Sequence, residues 1–485
     1  VFVIQWTHGS ILGFSDDEAY YWWIGQRPAW GYAWHPPGVA WLVALFQAKS
    51  VAAARLPACL ITALMVWSAG KWYQSFRVSE KGAFRGTLLV ISFSGLFAVS
   101  WMIVPDLPLL LGYGLVWWGA WKWIEAQSTN DEAPHGWMLL MGAVLLMLSK
   151  FSGVLAIGSA GLAILVLSKR REWRSILKGW GWLVVGFVIG MIPAVLWNMD
   201  HDWGSFRYQF QERHTGSQFS ASRYLRFWLL QWVLAGGAVL VGIRLLPGTV
   251  RGLWSSRKLG SYERAQKFCG LFFLPAFLVF CVQPGFSDFK FHWSLVVWLP
   301  VFLGWGLLQA TSADQGRPSR IANFQTAWGI FLTLLVLVFM QVPVVMIFTK
   351  GKDPKWDLSN DFVGWDRLVP YLEELSECRD WPLVASRHQV AAQAAYYLEK
   401  AQRKIAVIPR DLKQRDEWED LGVSDTIGPE WPKLLKPVLF LGDNRYGAAP
   451  EFREARCEAL PGIQVYRLGM LGREIKVWKC LPNEI

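Results

Sequence analysis

Apolar runs of roughly 20 residues recur along most of this chain. As a helix, a run of that length spans the hydrocarbon core of a bilayer, about 30 Å. The runs are 1–12, 53–70, 83–103, 107–124, 137–149, 151–168, 180–197, 226–246, 268–282, 293–309 and 326–348. The first is a stub (VFVIQW) that reads as the end of a helix cut short, and no cleavable signal sequence is seen. Residues 37–48 read as a short helix lying at the membrane interface. By length alone, 485 residues could make three soluble domains. With 53% hydrophobic residues, 32 Trp and only 18% charged, a polytopic membrane protein is expected instead.

The formal charge of +11 invites a nucleic-acid reading, which its distribution excludes. From Lys350 onward there are 21 Lys/Arg and 22 Asp/Glu, so the basic excess sits in short loops between apolar runs. Lys71, Arg77, Lys81 and Arg85 mark one such loop. Residues 169–178, residues 251–267, and Arg317 with Arg320 mark three more. The positive-inside bias puts those four loops in the cytoplasm. Residues 13–36, 104–106, 198–225, 283–292 and the tail then fall outside, and they hold most of the acids, histidines and aromatic pairs.

Residues 137–148 would rise only about 18 Å as a helix. Either 137–168 is one long helix with Lys150 buried in it, or two short helices meet at Lys150 near the outer face. The parity of the basic loops favours two, although 126–136 carries no Lys or Arg to check it.

Beyond residue 350 the composition turns polar, and short β-like runs appear at 382–386, 404–408, 437–443, 463–469 and 474–478. An amphipathic helix, RHQVAAQAAYYLEK, separates the first two. The domains are therefore expected to be 1–349 in the membrane and 350–485 as an extracytoplasmic α/β domain. Cys59, Cys269 and Cys281 lie in apolar runs and suit packing. With the tail outside the cytoplasm, Cys457–Cys480 is the expected disulfide among its three cysteines.

The stretch GFSDDEAYYWWIGQRPAWGYAWHPPGVAWLV (13–43) sets Asp16, Asp17 and Glu18 among aromatic residues. Acids at a membrane boundary must be solvated, paired or useful. Capping by Ser15 or Asp16 at a helix start is the structural reading. Asp106, in VPDLPLL at the next outer turn, fits a cap too. Two acids on one face also suit the removal of a proton from a hydroxyl. Lys150 could be a snorkelling side chain or a phosphate ligand. Residues 193–214 set Asp200, His201, Asp202, Arg207, Arg213 and His214 among Trp197, Trp203, Phe206, Tyr208 and Phe210. SDFKFHW repeats the style with Asp288, Lys290 and His292. That mixture suits a surface facing sugar or lipid headgroups. No dinucleotide fingerprint, P-loop or paired metal spacing is seen, so no nucleotide is needed; a divalent metal is a minor alternative that the spacing does not indicate.

In order along nearly the whole chain, DDEAYYWW…GYAWHPPGVAWL, PDLPLLL, LSKFSGVL and WNMDHDWGSFRYQ resemble one family. It is the bacterial membrane glycosyltransferases of the GT-C fold, family 39-like, related to protein O-mannosyltransferases and the lipid A aminoarabinose transferase. GWDRL and VASRHQVAAQAAYYL in the tail echo it more weakly. The resemblance implies a polytopic GT-C protein of about 11–13 membrane helices with its site on the periplasmic side of the inner membrane. It implies that Asp17 acts as base and Asp106 as the second-loop acid, while Lys150 and later basic residues hold a lipid phosphate. It also favours two short helices meeting at Lys150. Where the aminoarabinose transferase has an Arg two residues after its acidic pair, this chain has Tyr20.

The expected reaction is inverting transfer of a sugar from polyprenyl phosphate to an acceptor hydroxyl on lipid A, an envelope glycan or lipid, or a protein. Asp17 takes the proton, and Glu18 or Asp106 orients. Lys150, His201, Arg207, Arg213, Lys290, Tyr20, Tyr21 and His35 are expected to bind the donor's phosphate and sugar, with Lys150 and Arg207 or Arg213 on the phosphate. Convergence of Asp17, Asp106 and Lys150 at one outer cavity mouth is expected. A flippase of lipid-linked sugars is the rival class, for which paired, repeated halves would speak; no internal repeat is seen. A ligase of polymerised surface sugar onto lipid A shares the chemistry without these motifs.

Overall fold

The computed structural model describes residues 1–46, 49–98, 100–129, 135–168, 172–212, 218–253, 259–287, 291–352, 354–403, 407–409, 433–445 and 450–483. These form two compact units. Val1–Gln5, Ala29–Val39 and Leu56–Val336 make the first; Trp6–Pro28, Ala40–Arg55 and Leu337–Ile485 make the second.

The first unit is helical. Among the described residues, five helices are long and apolar enough to cross a bilayer: Val51–Gln74, Trp173–Asp200, Ser261–Phe286, Leu295–Asp314 and Arg320–Phe339. The chain is thus a multi-pass membrane protein. Other expected runs are shorter or broken. Residues 83–103 do not make one helix; Glu80–Ile91 and Ser94–Phe97 are separated at Ser92 and Phe93. Residues 226–246 do not either. Ala221–Ala235 and the next helix, Ala238–Leu253, meet at an angle of 103°. The bend follows from Gly236, whose φ of +55° no β-branched or bulky residue adopts readily. Apolar surroundings demand a partner for every freed backbone group, and the Gly237 N–H donates to Gln325 Oε1 at 2.9 Å. The 326–348 run likewise divides, with Arg320–Phe339 ending before Pro343 and Val344–Thr349 following it.

At Lys150 the expected division is found. Gly136–Ser149 and Val154–Leu167 are two 14-residue helices joined by a tight turn over Phe151–Gly153. Each rises about 21 Å. Lys150 itself is extended (φ −152°, ψ 142°), which ends the helix, while its N–H still donates to the Leu146 carbonyl at 3.1 Å. Within residues 37–48, where a short helix is expected, Gly38–Leu45 is helical.

The second unit carries a five-stranded sheet. Strands β1 (Leu383–Ala385), β2 (Val407–Pro409), β3 (Val438–Asp443), β4 (Ala455–Arg467) and β5 (Met470–Pro482) lie in the order β2-β1-β3-β5-β4. β1 pairs in parallel with β2 and β3, and the β4–β5 hairpin adds antiparallel to β3. β3 is buried along its whole length, as its unbroken VLFLGD run requires. The amphipathic helix His388–Lys400 connects β1 to β2. Cys457 and Cys480 are register partners and form the expected disulfide. This unit also takes in the acidic stretch, whose helix Asp16–Gly25 packs on His388–Lys400.

Candidate functional site

The acidic helix begins at a capping box. The Ser15 hydroxyl accepts from the Glu18 N–H, and the Glu18 carboxylate accepts from the Ser15 N–H. The structural reading of Ser15 as cap therefore holds. It explains the helix start and leaves three acids in the first turn, where the helix dipole favours them.

The three acids have different surroundings. Glu18 is fully buried and paired with Arg55, also fully buried. Arg55 Nε donates to Glu18 Oε1 at 2.8 Å and Nη2 to Oε2 at 2.5 Å. The remaining Arg55 N–H groups meet the carbonyls of Gly9, Leu12 and Gly13 at 2.5, 3.1 and 2.8 Å. All five donors of the guanidinium are thus committed. Asp16 is 2% exposed. It receives Arg473 Nη2 at 3.1 and 3.2 Å and Gln393 Nε2 at 3.1 Å. Asp17 is exposed, and Gln389 Nε2 lies 3.4 Å from its Oδ1. Residues 389 and 393 stand one turn apart on His388–Lys400, so one tail helix addresses two of the acids.

Aromatic residues surround this turn. Tyr20 and Tyr21 are buried, their rings 5.6 Å apart, and Tyr20 meets the His388 ring edge-on at 5.0 Å. Phe14 and Trp22 both pack edge-on against Tyr396, at 4.8 and 4.9 Å. Burial, with the Asp366 carboxylate adding to it, pushes the Tyr397 phenol up to about 12; burial raises Tyr396 as well. Neither phenol ionises near neutral pH.

The first unit holds a second cluster. Lys150 Nζ donates to both Asp106 oxygens, at 2.8 and 2.7 Å. The two side chains keep 15% and 21% of their exposure. Among the described residues the ammonium uses two of its three donors. Asp106 opens the helix Asp106–Thr129, and Lys150 closes Gly136–Ser149.

The His35-Pro36-Pro37-Gly38 stretch lies against the same turn. A β-carbon on Gly38 would stand 2.6 Å from the Leu148 carbonyl, so only glycine allows this approach. His35 is half-buried, and its carbonyl accepts from the Tyr32 N–H at 3.2 Å. The loop after Trp173–Asp200 closes on these elements. Phe206 meets Phe151 at 5.4 Å, Tyr208 meets Trp34 edge-on at 4.2 Å, and Gln209 Nε2 donates to the Trp34 carbonyl at 3.0 Å. His201 stacks on Trp197 at 3.9 Å and hydrogen-bonds its carbonyl at 2.7 Å. Arg207 is exposed and donates to the Asp202 carbonyl. Four segments thus gather around one ion pair: 29–39, 104–106, 149–153 and 197–209.

Arg213 and Lys290 lie outside the described residues. Among the described residues no group of three or more His, Cys, Asp or Glu is placed to hold a metal ion. Sequence reasoning overlooked Arg55, Arg473, Gln389 and Gln393. Only Arg55 carried a signal, as a lone arginine at the start of an apolar run.

No protein family model matches the chain, and no curated protein does. Among solved structures, it is similar to ArnT from Cupriavidus metallidurans bound to undecaprenyl phosphate. The TM-score is 0.58 at 13% identity, with 98% of this chain and 96% of that one covered. It is also similar to the same protein in the apo state, with TM-score 0.54, 12% identity and the same coverage. At such identity the likeness is one of fold, and it agrees with the polytopic GT-C architecture and C-terminal domain expected from the motifs.

Proposed function

We propose that this protein is an inverting glycosyltransferase that moves a sugar from a polyprenyl phosphate to an acceptor hydroxyl at the periplasmic face of a bacterial inner membrane. The observation that carries this reading is the whole-length likeness to ArnT crystallised with undecaprenyl phosphate. Each cluster, taken by itself, offers a kind of group that such a transfer calls on: an exposed carboxylate in one and a half-open ammonium in the other.

The bond between the sugar's anomeric carbon and the phosphate oxygen breaks, and a bond from the acceptor oxygen to that carbon forms on the opposite face. Polyprenyl phosphate leaves carrying the bond's electron pair, and the acceptor's proton must go to a base. Asp17 is the exposed carboxylate of the acidic turn and is assigned that role. Glu18 and Asp16 are positioning residues, held by Arg55 and Arg473, that fix the turn carrying Asp17. Lys150 is assigned to the phosphate, where charge grows as the bond breaks. Asp106 holds its amine in place. Arg207, Arg213, Lys290 and His201 are assigned to the same phosphate, and Tyr20, Tyr21 and His35 to the walls around the sugar. The acceptor is a hydroxyl of lipid A, another envelope glycan or lipid, or a protein.

The test is turnover by the purified protein in proteoliposomes with polyprenyl-phosphate sugars and candidate acceptors. A new glycosidic bond and released polyprenyl phosphate are expected. Movement of the lipid-linked sugar between leaflets without bond formation would identify a flippase and overturn the reading. Mass spectrometry of envelope lipids and glycans from a deletion strain names the sugar and acceptor.

A further inference from the structure

The stretch that opens the tail, Phe348-Thr-Lys-Gly-Lys-Asp-Pro-Lys-Trp356, plays no part in the reaction above, yet the described residues on either side of Asp353 are tied by hydrogen bonds. Asp357 is 1% exposed. Its carboxylate accepts from the Met346 N–H at 3.0 Å, and from the Ser359 N–H and hydroxyl at 3.1 and 2.6 Å. Asn360 Nδ2 donates to the Pro354 carbonyl at 2.9 Å. Arg467, from the end of β4, binds Ser359, Asn360 Oδ1 and the Gln341 carbonyl. The β4–β5 hairpin is thereby pinned to this turn, and Pro354–Trp356 packs against β5. The hairpin reverses at Leu468 and Gly469, both at positive φ as a two-residue hairpin turn requires.

What this scaffold presents is unusual for a free protein surface. Phe348 is 82% exposed, Leu468 70%, Trp356 68%, Tyr466 57% and Leu358 55%. Lys350, Lys352 and Lys355 are exposed among them. Between Phe348 and Trp356 the sequence holds three lysines against one acid, Asp353. Large apolar side chains carried at the surface of a hydrogen-bonded turn indicate a partner. Two observations say which. The stretch begins five residues after Pro343, and the helix Arg320–Phe339 is apolar and long enough to span a bilayer. Chain continuity therefore keeps Phe348 close to a membrane surface. The composition is that of an interfacial anchor, with aromatic rings for the headgroup depth and lysines for anionic headgroups.

We propose that residues 348–358 and the β4–β5 hairpin tip form a basic and aromatic foot that rests on the outer leaflet and binds anionic phospholipid headgroups. Trp356, Phe348 and Leu468 enter the interface, and the three lysines meet phosphate. The foot moors the second unit to the bilayer independently of the transfer reaction.

The test is hydrogen–deuterium exchange on the full-length protein in nanodiscs of phosphatidylcholine alone or with about one-third phosphatidylglycerol. Amides of 348–358 and 466–470 are expected to exchange at least several-fold more slowly with the anionic lipid. A variant carrying K350Q, K352Q and K355Q is expected to lose that difference and keep its fold, because all three lysines are exposed. Equal exchange in both bilayers, or a difference that survives the triple substitution, overturns the proposal. A photoreactive side chain at position 356 in native membranes gives a second readout. Adducts to phospholipid support the foot; adducts to another protein or to a second copy of this chain overturn it. Neither readout depends on turnover, so each stands or falls apart from the transferase reading.

Discussion

Two ion pairs in this protein are built from the same kinds of groups and have opposite characters. In Glu18–Arg55 both side chains are fully buried, and every guanidinium donor is spent on the carboxylate or on three backbone carbonyls. In Asp106–Lys150 both side chains remain partly open, and the ammonium keeps a donor uncommitted among the described residues. The first pair has no capacity left for a ligand; it ties the end of the helix Phe2–Ile11 and residues 12 and 13 to the acidic turn. The second can add a phosphate oxygen without losing its first partner. Charge beside an apolar segment is thus no sign of a site in itself. Unspent hydrogen-bonding capacity is, and Asp17 shows it as well.

The comparison is broken most sharply at Asp17. Asp17→Asn is expected to lower turnover by about 10²–10⁴-fold, the usual worth of a positioned base. Thermal stability should change little, because an exposed carboxylate in a first helical turn contributes only about 0.3–1 kcal/mol and its one contact, with Gln389, is long. Normal turnover in proteoliposomes, or unfolding of the variant, would end its assignment as the base.

Arg55→Ala is expected to do the reverse. It leaves the Glu18 carboxylate buried without its cation and costs about 3–5 kcal/mol in stability. Denaturation in detergent should show that loss, and a double replacement of Glu18 and Arg55 by apolar residues of similar volume should recover the part due to the unpaired carboxylate, while the Gly9, Leu12 and Gly13 carbonyls stay without their donor. Should the double variant be no more stable than Arg55→Ala alone, the pair is doing something other than neutralising itself.

Part of this contrast was legible before any coordinates. A helix cap at Ser15 or Asp16 and the tail's strands follow from local pattern, the break at Lys150 was favoured by the parity of the basic loops, and Cys457–Cys480 was one choice among the three tail cysteines. Gly236-Gly237 also signalled a break, but hydropathy counted over a window of about 20 residues passes over a single bent step. The fates of the three acids could not be read. Arg473 lies 457 residues from Asp16 and Gln393 lies 377. Local pattern carries no information about partners so far along the chain. Arg55 was readable as a cation needing a counter-ion, but three adjacent acids offered themselves, and only the fold chooses Glu18.

Lys150→Gln sharpens the other half of the comparison. It removes the cation but keeps a polar side chain at a half-open position. If Lys150 meets the donor phosphate, the loss is that of a charge-assisted hydrogen bond, about 1.5–3 kcal/mol, or roughly 10- to 150-fold in kcat/KM for the lipid-linked donor. Acceptor KM should not move. Asp106→Asn should act in the same direction and more weakly, since the amine stays charged but is less firmly held. A variant at Lys150 that loses stability and keeps donor kinetics would place this pair beside Glu18–Arg55 as a structural one.

The smallest effect is expected at Gln389, and it separates two views of the tail. Its amide reaches Asp17 at 3.4 Å, a long contact at an exposed position. The neighbouring Gln393 instead binds Asp16 and the Phe14 carbonyl in a buried setting. Gln389→Ala is expected to lower kcat/KM by about 2- to 10-fold, the range of a single modest hydrogen bond, with stability unchanged. Gln393→Ala strands buried acceptors and should destabilise the protein by about 1–3 kcal/mol while sparing the rate of the folded fraction. If both substitutions act only on stability, the tail helix merely supports the acidic turn. A rate effect confined to Gln389 would mean that the tail takes part in orienting the base, as the exposure of Asp17 beside it suggests.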